Sequence, residues 1–216
     1  LMAGCLPHNH RVLEVTHVVD DDQCVLRTEH PHWAQRLETD GYKTMYFGKW
    51  HVERSNDLTQ FGWQVNGVTG GDLFKGLRDE VLVGAKEASF SVRKDNELPE
   101  GYQKSILYGV TDQPIEERGV GLTTELAYRH LQDAVQEDDP WCCFVSVLEP
   151  HDPFICGEEA YSKYDVDAIE LCPNVFDDLS DKPNIYRKAG LAWADFTDRH
   201  KKEAAACYYA SVTEIE

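Results

Sequence analysis

The sequence has 216 residues, 42% of them hydrophobic and 28% charged, enough for a sizeable core in one domain or in part of a larger one. The formal net charge of −18 argues against nucleic acid or an anionic membrane as a partner, because both repel an acidic protein. No apolar run is long enough to predict a membrane span, and seven cysteines without a C-x-x-C pair argue against a zinc site or a regular disulfide framework.

The amino-terminal stretch LMAGCLPHNHRV begins with small and apolar side chains and turns at Pro7. His8 and His10 form an H-x-H pair, which we interpret as groups that fix the loop by hydrogen bonds rather than as metal ligands. The adjacent carboxylates of Asp20–Asp22 lack the spacing of a calcium-binding loop, so they predict a solvated turn.

A short helix is predicted over Pro31–Thr39 (PHWAQRLET), because Trp33 and Leu37 lie four positions apart on one face. Gly41 can take the left-handed conformation that ends a helix. The segment Lys43–Phe47 (KTMYF) is rich in β-forming residues and predicts a strand directly after that helix.

The residues after this strand carry the first candidate chemistry. Gly48 lets the chain turn away, so Lys49 and His51 are expected at the carboxyl end of a strand, where open α/β sheets place their ligand sites. An ammonium group is a compact charge for an oxyanion, and an imidazole can donate or accept a proton near neutral pH. The pair therefore suits an anionic ligand.

The region that follows has weaker patterns. Gly67, Gly70 and Gly71 predict turns. Two short strands are predicted, at Glu80–Val83 and Phe90–Arg93, and they could form a hairpin over the site.

A second helix and strand follow. Thr123–Gln136 predicts a helix capped by one of its first two threonines, and Trp141–Leu148 (WCCFVSVL) is a continuous apolar run that predicts a buried central strand. His151 and Asp152 follow in the proline-stiffened turn EPHDPF. Since both helix–strand segments have the same polarity, His151 and His51 are expected at one edge of one sheet.

The carboxyl-terminal part begins with an acidic, proline-containing stretch, Ile169–Asp198, which predicts a surface excursion. His200–Glu216 predicts an amphipathic helix. Leu1 is not an initiator methionine, and Glu216 lies within a helical pattern, so we expect a fragment truncated at both ends. The side chains expected to face the core from this helix are Ala204, Cys207, Tyr208, Ser211, Val212 and Ile215.

Four segments, taken in order, resemble the sulfatases of the alkaline-phosphatase superfamily. LMAGCLPHNHRV resembles the stretch after the sulfatase signature, and WAQRLETDGYKTMYFGKWH resembles the helix–strand–GKWH segment. EPHDPF, with YSKYD downstream, is similar to the P-H-x-P-[FY] segment, and CYYASVTEIE to the Y-Y-A helix, with Glu216 in place of the usual Asp. The signature itself, C-x-P-S-R or S-x-P-S-R, does not occur in the sequence.

The resemblance implies an α/β fold of the alkaline-phosphatase type: a mixed, mostly parallel sheet flanked by helices, incomplete in this chain. Residues 1–216 would be part of a single catalytic domain that hydrolyses a small-molecule or carbohydrate sulfate ester and releases inorganic sulfate. It also implies a formylglycine nucleophile and a divalent cation, usually calcium. The nucleophile and the metal ligands would lie outside Leu1–Glu216, so the chain by itself is expected to be inactive.

The resemblance also assigns roles to residues within the chain. Lys49 would bind a sulfate oxygen and neutralise charge in the transition state, and His51 would form a hydrogen bond to the formylglycine hydroxyl. His151 would protonate the leaving alcohol. Asp152 is a looser candidate, either for substrate contact or for capping its own turn.

Two alternative functions stay open from the sequence. A phosphonate monoester or phosphodiester hydrolase of the same superfamily would keep this fold, and Lys49 and His51 suit phosphate and sulfate oxyanions equally. A non-catalytic, sulfatase-like binding protein is the other alternative, although intact Lys49, His51 and His151 argue against it. The compartment, the oligomeric state, the metal and the particular ester are not defined by the sequence.

Overall fold

The structure is a computed structural model that describes residues 2–13, 26, 30–95 and 105–216. The chain folds into two compact units, the first formed by Leu1–Ala85 with Ile115–Leu148 and the second by Lys86–Pro114 with Glu149–Glu216. The solvated turn predicted at Asp20–Asp22 lies outside the described residues.

In the described residues, the strands are β1 (Lys43–Gly48), β2 (Val65–Val68), β3 (Phe90–Asp95), β4 (Ile106–Thr111), β5 (Trp141–Ser146) and β6 (Phe154–Gly157). The helices are α1 (Pro7–His10), α2 (Trp33–Thr39), α3 (Asp72–Val81), α4 (Gly119–Ala134), α5 (Glu158–Tyr161), α6 (Asn184–Ala192) and α7 (Asp198–Thr213). None of these helices is both long enough and apolar enough to cross a membrane. The predicted α/β architecture, a parallel sheet flanked by helices, is confirmed.

The first unit is built on a parallel sheet with the order β2–β1–β5. Successive side chains of a strand point to opposite faces, so Met45 and Phe47 pack on α3 and α4, whereas Tyr46 packs on the side of α2. Both faces of β1 are therefore covered, and its side chains after Lys43 are buried, as is typical of a central parallel strand. The predicted helix ends as expected, since Gly41 has φ +84°.

Some predictions for the first unit are wrong. β5 is a strand but not a central one: among the described strands it pairs with β1 alone, and Trp141 is 41% exposed. α4 begins at Gly119, with Arg118 at the N-cap position and no side-chain cap, so both Thr123 and Thr124 lie within the helix rather than at its cap. Glu80–Val83 is not a strand but the end of α3 and the residues after it.

Gly67 lies within β2 rather than in a turn, and a side chain there would clash with the ring of Phe47. The requirement for glycine at this position is thus steric, since a neighbouring aromatic ring occupies the space of a Cβ atom. Gly70 has φ +82° and Gly71 precedes α3, so the turns predicted at these two positions are confirmed.

The second unit contains a sheet in which β4 lies between antiparallel β3 and parallel β6. The strand predicted at Phe90–Arg93 is confirmed as part of β3, but its partner is β4 and not Glu80–Val83. The stretch Ile169–Asp198 is largely exposed, as predicted, and includes α6.

The last helix, α7, is confirmed and is capped by the hydroxyl of Thr197. Its buried stripe consists of small side chains, Ala206, Cys207, Ala210 and Ser211. The predicted core positions Tyr208, Val212 and Ile215 are wrong, since each is more than a third exposed. Small residues at this spacing allow close packing of α7 on the sheet, and the bulky side chains lie outside that contact.

Candidate active site

The first candidate group lies where β1 ends. Gly48 has φ +95°, and a Cβ atom there would lie 2.1 Å from the carbonyl oxygen of Ser146 and 2.9 Å from Cγ2 of Thr123. Only glycine fits both the left-handed conformation and the close approach of β5. Gly48 thus turns the chain away from the sheet, as predicted, and brings Lys49 to its carboxyl edge.

Lys49 is fixed through its backbone. Its N–H donates to the carbonyl oxygen of Ser146 at 2.7 Å, and its carbonyl oxygen accepts a hydrogen bond from the hydroxyl of Tyr46. The side chain is half-buried, and no described residue forms a hydrogen bond or an ion pair with its ammonium group. A rigidly held backbone therefore presents a cation without a counter-ion among the described residues.

Trp50 and His51 complete the turn. Trp50 is buried, with its ring 5.2 Å from that of Tyr46 and 5.6 Å from that of Phe61. His51 is exposed. The turn is thus anchored by an indole in the core while the imidazole beside it is accessible to solvent.

Glu53 is a residue that the sequence reasoning missed. Its carboxylate is buried, and Oε1 accepts hydrogen bonds from the indole N–H of Trp50 at 3.4 Å and from the N–H of Ser55 at 2.7 Å. Burial raises the pKa of this carboxyl group, although the two hydrogen bonds oppose the shift. No local pattern in WHVERS marks this glutamate as buried.

The second candidate group lies in the second unit. His151 and Asp152 stand between two prolines, with cis peptide bonds at Glu149–Pro150 and Asp152–Pro153. Nδ1 of His151 lies 3.0 Å from Oδ1 of Asp152 and 2.7 Å from its carbonyl oxygen. With Nδ1 occupied by Asp152, Nε2 is the ring nitrogen that remains for a substrate. Both side chains are exposed, at 59% and 69%.

The structure confirms the shared polarity of the two predicted helix–strand segments. β1 and β5 are adjacent and parallel, and their register pairs Gly48 with Ser146, so their carboxyl ends coincide. Lys49 and His51 belong to the first unit, whereas His151 and Asp152 belong to the second. The predicted proximity of His51 and His151 at one edge of a sheet stays a prediction.

The described residues contain no group of three or more His, Cys, Asp or Glu side chains that could hold a metal ion. In the H-x-H pair, Nδ1 of His10 accepts a hydrogen bond from the N–H of Val12 at 3.2 Å. This contact agrees with the predicted loop-fixing role of that histidine.

Comparison with curated proteins finds sulfatases. The chain is 29% identical over 154 residues to the uncharacterized sulfatase YidJ of Escherichia coli, a match that covers 68% of this chain and 28% of that protein. It is 22% identical over 238 aligned positions to the choline-sulfatase of Rhizobium meliloti, covering 100% of this chain and 41% of that enzyme. The chain thus spans well under half the length of either relative. No family model matches it.

Comparison with solved structures finds the same fold in phosphonate monoester hydrolases. The enzyme of Agrobacterium radiobacter has a TM-score of 0.64 at 17% identity, and the match covers 100% of this chain and 46% of that one. The enzyme of Silicibacter pomeroyi has a TM-score of 0.63 at 17% identity, with 99% and 46% covered. At this identity the likeness is one of fold, and it spans less than half of each enzyme.

Proposed function

The chain is a relative of the sulfatases in the alkaline-phosphatase superfamily, and we propose that the protein containing it hydrolyses a sulfate ester to an alcohol and inorganic sulfate. The substrate we propose is a small-molecule or carbohydrate sulfate ester. Choline sulfate belongs among the compounds to test, because a choline-sulfatase is among the relatives.

The observation that supports this proposal most directly is the state of Lys49. The side chain of Lys49 is half-buried and its ammonium group has no counter-ion among the described residues, so this compact positive charge at the end of β1 favours binding of an anion. A sulfate ester carries a single negative charge spread over three oxygens. We propose that Lys49 binds one of these oxygens and stabilises the charge that develops in the transition state.

The two histidines provide proton transfer in this proposal. His51 follows Lys49 in the same turn and is exposed, and we propose that its imidazole forms a hydrogen bond to a hydroxyl group at the reacting centre. In the other turn, Asp152 occupies Nδ1 of His151, which leaves Nε2 to deliver a proton to the departing alcohol oxygen. Asp152 would then orient the imidazole.

Formylglycine and calcium are implied by the family, but the described residues do not fit either group. The sequence has no C-x-P-S-R or S-x-P-S-R signature, and no described cluster of side chains could hold a metal ion. The roles proposed for Lys49, His51 and His151 therefore involve only their own ammonium and imidazole groups. The ester-cleaving nucleophile stays assigned to residues beyond this sequence.

Hydrolysis of phosphonate monoesters is a second candidate function. The fold shared with two phosphonate monoester hydrolases supports it, and Lys49 binds a phosphonate oxygen as readily as a sulfate oxygen. The charge and shape of the two esters are close enough that the turn of Lys49 and His51 suits both.

The test is a comparison of esters with the full-length protein that contains this chain. We expect p-nitrophenyl sulfate or choline sulfate to be turned over with a higher kcat/KM than a p-nitrophenyl phosphonate ester. We expect K49A to lower kcat/KM by about 100-fold or more, because it removes a charge from the transition state. K75A removes a lysine of α3 that is exposed, and it should leave kcat/KM unchanged.

Other outcomes of these assays would contradict the proposal in different ways. Faster turnover of the phosphonate ester would favour the second candidate. Wild-type activity in K49A would refute the role of Lys49, and sulfate binding without turnover of any ester would favour a binding protein. Turnover by the isolated 216-residue chain would refute its expected inactivity.

A further inference from the structure

Two buried polar side chains, which the proposed chemistry does not use, lie on either side of the turn formed by Lys49–His51. Tyr46, on β1, is 2% exposed, and Glu53, beyond the turn, is 4% exposed. Burying a polar group is costly unless it forms hydrogen bonds, so the partners of these two side chains indicate what they do.

Tyr46 holds the beginning of the turn. Its hydroxyl donates to the carbonyl oxygen of Lys49. The N–H of Lys49 in turn donates to the carbonyl oxygen of Ser146 at 2.7 Å. Lys49 is therefore tied to β1 and β5 at once. Burial raises the pKa of the Tyr46 phenol, so it is a neutral donor at physiological pH.

Glu53 holds the end of the turn. A single carboxylate oxygen, Oε1, accepts from the indole of Trp50 and from the N–H of Ser55, so it connects the residue before His51 with the backbone after it. The indole is itself packed against the ring of Tyr46. Neither of these hydrogen bonds involves Lys49 or His51, so through them Glu53 acts on the two residues by fixing the position of the chain.

We infer that Tyr46 and Glu53 are positioning residues that fix Lys49 and His51 from the two ends of their turn. The inference rests on the proposed function, since it concerns the same residues. Transition-state stabilisation by a fixed charge depends on its placement, and a shift of about 1 Å at such a group can cost about 100-fold in rate. Loosening either end should therefore lower kcat more than it changes KM.

The experiment compares near-isosteric variants of the full-length protein. Y46F removes one oxygen atom, and E53L removes the acceptor at similar volume. We expect each to lower kcat by about 10- to 100-fold, with KM changed by less than about threefold. E53Q keeps an Oε1 acceptor and should retain at least about a third of the wild-type kcat.

The matched control is Y108F in the second unit. Tyr108 is 1% exposed and donates to Oε2 of Glu203 at 3.0 Å, so Y108F loses the same kind of buried hydrogen bond outside the turn. It should lower the melting temperature about as much as Y46F does, while kcat stays at the wild-type value. An equal loss of kcat in Y108F and Y46F would reduce the role of Tyr46 to stability and overturn the inference.

A second measurement does not depend on activity. In protein labelled with ¹⁵N-tryptophan, hydrogen exchange of the Trp50 indole N–H should be accelerated at least tenfold in E53L and unchanged in E53Q. The signal is assigned by its loss in W50F. Unchanged exchange in a folded E53L protein would overturn the inference for Glu53. If E53L does not fold, the inference is tested by comparing kcat of Y46F with kcat of Y108F.

The outcomes also separate this inference from the proposed function. If K49A loses activity while Y46F and E53L keep the wild-type kcat, the function stands and the positioning role is refuted. If K49A is fully active, the proposed role of Lys49 fails, and the exchange of the Trp50 indole alone decides whether Glu53 holds the turn.

Discussion

The two turns that carry the candidate residues are held in different ways. The Lys49–His51 turn is fixed by groups outside it: the hydroxyl of Tyr46, the carbonyl of Ser146 and the carboxylate of Glu53, which binds the indole inside the turn. The Glu149–Pro153 turn is held locally, by its prolines and by the contact of His151 with its neighbour. Damage to the first turn should therefore affect stability and activity together, whereas damage to the second should affect activity alone.

The largest effect is expected for G48A. The new Cβ atom would lie 2.1 Å from the carbonyl oxygen of Ser146, in a backbone conformation with φ +95°. We expect a loss of about 3–5 kcal/mol in the free energy of unfolding, measured by urea denaturation. G70A has a similar φ of +82° with no atom within 4 Å, so strain alone should cost it about 1 kcal/mol. Equal losses in both variants would show that crowding at Gly48 is unimportant.

H151A tests the local character of the second turn. Loss of a general acid should lower kcat about 100- to 1,000-fold in the full-length protein. The side chain is 59% exposed, so the free energy of unfolding should change by less than about 0.5 kcal/mol. D152N should lower kcat by about 3- to 10-fold, because the carbonyl of residue 152 still contacts the imidazole. A stability loss comparable with that of G48A would contradict the comparison.

His32 extends the buried network behind the first turn, since its ring lies 6.0 Å from that of Trp50 and its Nδ1 accepts from the N–H of Ala34. Burial lowers the pKa of His32 from 6.5 to about 4. As the pH falls, the unfolded chain therefore binds a proton at His32 before the folded chain does. Neutral His32 contributes its full stabilisation of the fold above pH 6.5, and this contribution is lost as the pH falls towards 4.

The role of His32 is tested by measuring the free energy of unfolding at pH 7 and pH 4. The decrease over this range should be smaller in H32N than in the wild type, by up to about 3 kcal/mol. Asparagine retains a side-chain acceptor for the helix N-terminus but does not titrate. Identical pH profiles for the two proteins would show that His32 does not titrate on unfolding.

The smallest effect is expected at the other end of β1. Lys43 and Glu137 form an ion pair at 2.9 Å, and the glutamate side chain is 49% exposed. We expect K43M to change the free energy of unfolding by less than about 0.5 kcal/mol, with kcat unaffected. A larger loss would mean that β1 is held at its beginning as firmly as at its end.

The sequence predicted those parts of the fold whose signals are local. α2, its stop at Gly41, β1 and the exit at Gly48 follow from side-chain periodicity and from glycines at fixed positions. Lys49 and His51 could be located because they immediately follow these signals. The segment Phe90–Arg93 was likewise recognisable as a strand, although not its partner.

What could not be predicted depends on packing between distant segments. The edge position of β5 depends on which strands pair, and its apolar sequence is typical of a central strand. The predicted threonine cap is wrong because α4 begins at Gly119, so that Thr123 and Thr124 lie inside the helix. Tyr46 and Glu53 could not be recognised as partners of the turn, since their hydrogen bonds to Lys49, Trp50 and Ser55 depend on the folded path of the chain.

The hydrogen bond from the N–H of Lys49 to Ser146 also bears on protein engineering. A designer who transplants the sequence GKWH onto another sheet would carry over the lysine and the histidine but not the neighbouring strand end that fixes them. Such a graft also needs a tyrosine two positions before the glycine, a carboxylate two positions after the histidine and a parallel strand in the register of β5. The unit that must be transplanted is therefore the two strand ends with their tyrosine and glutamate, because GKWH alone does not contain the groups that hold it in place.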